Sequence, residues 1–238
     1  GGDKLPGLPV AERTKPAFSD YGYVFDWSDY NSAMALYFIQ DNGIKTRAAW
    51  DEFSIETQEG IKNYSRGSVF IPVRYQDHDP GTIHSLICAA SELADINIDP
   101  VNSSVTLGGP WLGNGSFRAL DKPGVLMLTG DGVSSSNAGA LWHFFDTKIS
   151  LPVTKADLGR FSRIDLADYN TLILPSGSYS ELSDRDVDRI KEWLNNGGHI
   201  ISLAYAFRFL ESAGLAEIKY DSRNPGVREK RIDYDRLR

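Results

Sequence analysis

The sequence predicts an α/β protein in which helices cover parallel β-sheet, arranged as two related halves. Three observations carry this reading. Short apolar runs alternate with amphipathic segments from Tyr21 onward; a strand ending in proline and followed by a capped helix occurs twice; and 41% hydrophobic with 24% charged residues in 238 are ordinary proportions for a chain with a buried core.

Residues 1–18 contain three prolines and little apolar periodicity, so they read as a linker or extended lead-in. The opening Gly-Gly followed by a proline-rich polar segment reads as a boundary inside a longer protein, which leaves room for an export signal ahead of it. In the first half, 19–106, YGYVF is a strand. Ser28 and Asp29 then cap a helix over Ser28–Gln40, which carries Met34, Leu36, Tyr37 and Phe38 and stops at Asn42-Gly43. IKTRAA and GSVFIPV are strands, and Ile83–Ala94 is a helix.

Residues 107–123, LGGPWLGNGSFRALDKP, break the pattern with glycine and two prolines and form the connection between halves. In the second half, 124–218, GVLMLTG is a strand, Ser135–Asp146 a helix, and LPVTKA and NTLILPS strands. Ser183 caps a helix over Asp184–Asn195, with Asp186 as its acidic partner and Gly197-Gly198 as its end. HIISLAYA is the last strand and runs into a helix at Phe207–Ala213. The segment 219–238 is densely charged and reads as a surface excursion. Ala35-Leu36-Tyr37 answers Ala140-Leu141-Trp142, and Val69-Phe70-Ile71-Pro72 answers Leu172-Ile173-Leu174-Pro175, which suggests duplication. The alternative is that buried strands and helices share patterns in any α/β unit.

With 25 basic against 32 acidic residues, the net charge of −7 repels phosphate backbones, so nucleic acid is not an expected partner. Cys88 is the sole cysteine, which excludes an internal disulfide and a cysteine-based zinc site. No run reaches the roughly 18 apolar residues of a membrane span.

In parallel sheets ligands bind beyond the carboxyl ends of the strands, so the turns there are the places for chemistry. One such turn is Asp26–Tyr30. The turn Thr129–Asn137 leads small and hydroxyl residues into a helix N-terminus, which suits an anion or sugar and makes Asp131, Gly132, Ser134, Ser135 and Asn137 ligand-binding candidates. Ser135 stands where a GxGxxG fingerprint needs glycine, and the lysine of a phosphate-binding P-loop is missing, so a capped turn that binds nothing is the simpler reading of these residues. The next turn adds Ser176, Gly177, Ser178 and Tyr179, without the GxSxG of a serine elbow. The four histidines, His78, His84, His143 and His199, form no HExxH or HxxE spacing, so no metal site is expected. His143 and Asp146 lie three apart on one helical face. Trp27 and Trp111 fall in loops, where aromatic rings can stack on sugars.

The segment NNGGHIISLAYAFRFLESAGL resembles the strand and nucleophile elbow of class I glutamine amidotransferases, in which a cysteine sits at the centre of GxCxG. On that pattern Ser202, Ala204 and Ala206 fall at the glycine, cysteine and glycine positions, and Ala204 is a degenerate nucleophile position at which no thioester can form. No histidine follows His199, so the family's later base is missing too. LILPSGSYS resembles the strand and turn on the oxyanion side of that fold. More specifically, VLMLTGDGVSSSNAGALWHFFDTKISLPVTKADLGRF with DYNTLILPSGSYS and IKEWLNNGGHII is similar to the C-terminal amidotransferase-like region of secreted bacterial zinc carboxypeptidases of the carboxypeptidase A type.

The resemblance implies a three-layer, flavodoxin-like fold in a periplasmic or extracellular protein. It implies as partner the peptidase catalytic domain of the same polypeptide, with zinc held only there and no cofactor in this chain. The function expected is that of a non-catalytic accessory domain that binds peptide or glycan or supports the catalytic domain. Two alternatives are a hydrolase with an atypical site at Asp131, Ser178 and His143, and a purely structural packing module, which calls for a broad exposed apolar patch.

Overall fold

The computed structural model describes residues 15–57 and 60–217, and over them the chain is α/β. In chain order the elements are β1 (Gly22–Phe25), α1 (Ser32–Asp41), β2 (Thr46–Ala49), β3 (Phe53–Thr57), β4 (Gly60–Tyr64), β5 (Val69–Pro72), α2 (Pro80–Ala94), β6 (Asp99–Val101) and β7 (Phe117–Leu120). There follow β8 (Val125–Thr129), α3 (Ser135–Phe144), β9 (Val153–Asp157), β10 (Thr171–Leu174), α4 (Asp184–Asn195), β11 (His199–Ser202) and α5 (Phe207–Ser212). The charged segment expected over 219–238 lies outside the described residues.

The second half has the parallel sheet that the sequence predicts, in the order β11-β10-β8-β9. The first half corrects the expectation. Its sheet, β6-β1-β5-β2-β7, is antiparallel at every pairing, and β3 and β4 form a separate antiparallel pair. The matched strings VFIP and LILP are both central strands followed by a helix, yet they lie in sheets of opposite sense. A four-residue apolar run reports burial on both faces and carries no information about strand direction, so the likeness of the halves stops at composition. The segment 107–123 is also more than a connection, because it contributes β7, which pairs with β2.

Alternation of side chains sorts each sheet into two faces. In the first half Tyr23, Phe25, Val69 and Ile71 pack against Ile39 of α1 and Ile83 and Ile87 of α2, while Val24 and Phe70 meet Phe53, Tyr64 and Phe117 on the opposite face. In the second half Leu126, Leu128, Leu172 and Leu174 pack on Ile190 and Trp193 of α4, and Met127 and Ile173 meet Ala138 of α3. Tyr37 of α1 joins that last cluster, so α1 serves both halves, and Lys122 Nζ lies 2.6 Å from Asp41 Oδ1 across the same seam. Each fully buried aliphatic side chain here contributes about 1.5–3 kcal/mol of burial free energy.

Helix ends follow cap chemistry. Ser183 and Asp186 complete a capping box at α4, and Asp79 accepts from Gly81 N and Thr82 N ahead of Pro80 in α2. Helix α1 begins at Ser32, four residues later than expected. The carboxylates of Asp26 and Asp29 accept instead from the nearby Ser28 N and Asn31 N, which folds 26–31 into turns rather than a first helical turn. Helix α3 ends at Phe144 and widens into a π-turn over Phe145–Ile149, closed by left-handed Ser150.

Candidate functional site

The turns after β8, β10 and β11 point the same way because their strands are parallel, and they enclose an open cleft of about 860 Å³. Gly132, Ser134, Ser176, Gly177, Ser178 and Tyr179 line it, facing Tyr205 from the turn before α5 and Arg208 and Phe209 from α5 itself. Asp131, Ser135 and Asn137 are not among the lining residues; Asp131 and Ser135 are exposed beside it.

The first two turns are stitched to each other. Ser134 N donates to Ser176 O at 2.8 Å, Ser178 N donates to Gly132 O at 2.9 Å, and Val133 bridges Gly177 antiparallel. A Cβ on Gly177 would stand 2.6 Å from Gly132 O, and one on Gly132, at φ 81°, 2.9 Å from Ser178 O. These glycines are therefore explained by the contact of one backbone with another. The same bonds use the backbone N–H groups of Ser134 and Ser178. Asn137 N is likewise used, by the Ser134 hydroxyl at 3.4 Å. What the turns present to the cleft is hydroxyl groups: Ser178 Oγ donates to Ser180 Oγ at 3.3 Å, and both residues are exposed.

Tyr179 is buried at 2% exposure, donates from its hydroxyl to Pro175 O at 2.6 Å, and packs on Phe209 with ring centroids 5.4 Å apart. Burial pushes its phenol above the ordinary tyrosine value. It shapes the cleft wall and has no free hydroxyl to offer a ligand. Arg208 is exposed, makes no ion pair among the described residues, and holds its guanidinium 5.3 Å from the centroid of the Tyr205 ring.

Ala204 follows β11 at φ 46°, a left-handed conformation that costs a non-glycine residue about 1–2 kcal/mol. It opens a 3₁₀ turn, Ala204–Ala206, that leads directly into α5. Among the described residues no hydrogen bond joins His143 to Ser178 or Asp131. His143 lies eight residues along α3 from Ser135, roughly 12 Å up the helix axis from the cleft, and its described bond is made by its carbonyl, which accepts from the Thr147 hydroxyl at 2.7 Å. Trp27 and Trp111, 41% and 65% exposed, belong to the antiparallel half and do not line this cleft.

A further cluster of chemical groups joins α2 to β1. Cys88 Sγ lies 3.6 Å from His84 Nε2, and His84 Nδ1 lies 3.0 Å from the Tyr23 hydroxyl. The signal was legible, since residues 84 and 88 share one face of a helix. Burial pushes the Cys88 thiol up, so it is held neutral, and Phe18 stands edge-on to the His84 ring at 5.5 Å. These contacts tie the entering chain to α2 and do not make a nucleophile. Among the described residues no three His, Cys, Asp or Glu side chains are grouped to hold a metal ion, and no helix is long and apolar enough to cross a membrane. No family model, curated protein or solved structure matches the chain.

Proposed function

We propose that this chain is a non-catalytic binding module whose ligand seat is the cleft after β8, β10 and β11. In this reading it is the amidotransferase-like accessory region beside a zinc carboxypeptidase domain, in the periplasm or outside the cell. The observation that carries the proposal is Ala204. A left-handed residue between a strand and a helix is the backbone form of a nucleophile elbow, and here it bears only a methyl group. The elbow's shape is kept without its chemistry, which leaves recognition as the use of the cleft.

The cleft suits an oxygen-rich ligand of modest size. Its volume falls in the range of small-molecule sites, serine hydroxyls supply donors and acceptors, and Arg208 supplies a cation for a carboxylate. A short peptide or glycan fragment has that chemistry. Thermal-shift and calorimetric titration with muropeptides, and with short peptides bearing a free or an amidated C-terminus, test the proposal. A ligand at 100 times its dissociation constant should stabilise the protein by about 2.7 kcal/mol, and Arg208→Ala should abolish the preference for the free carboxylate. Absence of any shift across the panel would refute the binding role.

Ile201 on the edge strand β11, 48% exposed, and Tyr205, 63% exposed, favour a second reading in which this end of the sheet packs against a neighbouring domain. Comigration with the separately expressed peptidase domain, lost on Ile201→Lys, distinguishes it from small-ligand binding.

A further inference from the structure

The antiparallel half carries a groove of its own, about 620 Å³, on the far side of its sheet from α1 and α2. Its floor is apolar: Phe70 and Leu112 are 2% and 4% exposed, and Tyr21 stacks on Phe70 with centroids 6.2 Å apart. Its rim is basic. Lys45, Arg47 and Arg74 line it against the single acid Asp121, in a chain whose net charge is −7. Lys45 is paired with Asp77 at 3.2 Å and Arg47 donates to Phe117 O at 3.2 Å, whereas Arg74 is exposed and makes no ion pair among the described residues.

Beside Arg74 stands Tyr75, 93% exposed and left-handed at φ 65°. The conformation is held from outside the residue. Pro72 has no N–H to continue the β5–β2 ladder to Lys45, and the carboxamide of Gln76 fills that place: Nε2 donates to Lys45 O at 2.8 Å and to Pro72 O at 2.6 Å, and Oε1 accepts from Lys45 N at 2.8 Å. Strain of this kind persists where surrounding bonds over-determine it, and it gathers at ligand clamps. Here the bonds are spent on holding an aromatic ring in solvent at the mouth of a basic, apolar-floored groove.

We propose that this groove is a second ligand site, taking an amphipathic organic anion whose planar apolar body lies on Phe70 and Leu112 beneath Tyr75 and whose acidic group meets Arg74. Charge complementarity selects the anion, since a cationic rim set in an acidic protein attracts what the rest of the surface repels. The depth of the floor selects an apolar body over a bare phosphate.

Fluorescence titration of the full chain with 8-anilinonaphthalene-1-sulfonate, displaced by 2-naphthoate or by neutral 2-naphthylmethanol, tests this. Saturable binding is expected, with naphthoate the better competitor. Arg74→Gln should weaken naphthoate about tenfold and leave the alcohol unchanged, as loss of one charge-assisted hydrogen bond requires. Tyr75→Asn, which tolerates the left-handed backbone, should weaken both competitors. Lys191→Gln, which removes a charge from α4, should weaken neither. Lack of saturable binding, binding indifferent to Arg74→Gln, or an alcohol that competes as well as naphthoate would each overturn the proposal.

Discussion

The two halves place their cavities in opposite ways. In the parallel sheet successive strands end on the same side, so turns distant in sequence meet there: the cleft draws on 132–134, 176–180 and 205–212. In the antiparallel sheet successive strands end on alternate sides, and no such gathering of turns is available. Its groove lies across the face of the sheet, floored by Phe70 of β5 and by Leu112 from the loop before β7, and bounded by the loop after β5. The difference teaches that a cleft at strand ends follows from topology, whereas a groove on a sheet face depends on how far the other elements cover that face.

The strongest test of the comparison removes one side chain from each central strand. Ile71→Ala in β5 and Leu174→Ala in β10, both fully buried, should each cost about 3 kcal/mol in urea unfolding. Because α1 packs into both halves, the two substitutions should lower one shared transition. Separate transitions by circular dichroism and tryptophan fluorescence would make the halves independent folding units.

Next in size is the stitch between the turns of the parallel half. Gly177→Ala sets a methyl 2.6 Å from Gly132 O and 2.9 Å from the Val133 Cα, both backbone atoms that cannot swing aside. The cost should be about 2 kcal/mol in the same assay, with the cleft lost as a binding site.

Alkaline pH compares one buried tyrosine from each half. Burial, together with the carboxylate of Asp99 to which its hydroxyl donates, pushes Tyr64 above the ordinary value of 10.0, and burial raises Tyr179. A raised folded value means that the stabilisation is complete below pH 10 and is lost as pH rises beyond it, when the unfolded chain releases a proton that the folded one keeps. Each tyrosine should steepen the decline by up to about 1.4 kcal/mol per pH unit. Tyr64→Phe and Tyr179→Phe should each flatten stability profiles between pH 9 and 11.5; a profile unchanged by either would place that phenol in water.

The smallest effect compares helix starts. Ser183→Ala should cost about 1 kcal/mol by removing the capping box of α4, while Asn31→Ala at α1, whose side chain makes no cap bond, should be near neutral. Equal losses would mean that the cap of α1 forms in solution.

Legibility in the sequence tracked the range of the interactions involved. The cap of α4 and the strand Thr171–Leu174 were readable because residues within four positions determine them. FSIET in β3 alternates apolar and polar residues and is legible in the same way. The antiparallel direction of β1, β2 and β5 was not, since direction is set by which strands meet and not by their composition. The serines and glycines of the parallel half are legible as close-approach turns, but their role as a stitch appears only when both turns are in place. The basic groove was invisible, because Arg47, Phe70 and Leu112 come together only through the strand order, and a left-handed tyrosine has no sequence signature.

The stitch between Val133 and Gly177 has a mechanical consequence. Neither turn can swing without giving up backbone bonds at 2.8 and 2.9 Å to the other, so one wall of the cleft is a fixed jaw. The opposite jaw, Tyr205–Ser212, rests on this wall through the apolar contact of Phe209 with Tyr179. Such a contact can slide where a hydrogen-bonded pair must break. Accommodation of ligands of different width therefore belongs to one side of the cleft, and amide exchange on ligand binding should change along 205–212 while Ser134 and Ser178 keep their protection.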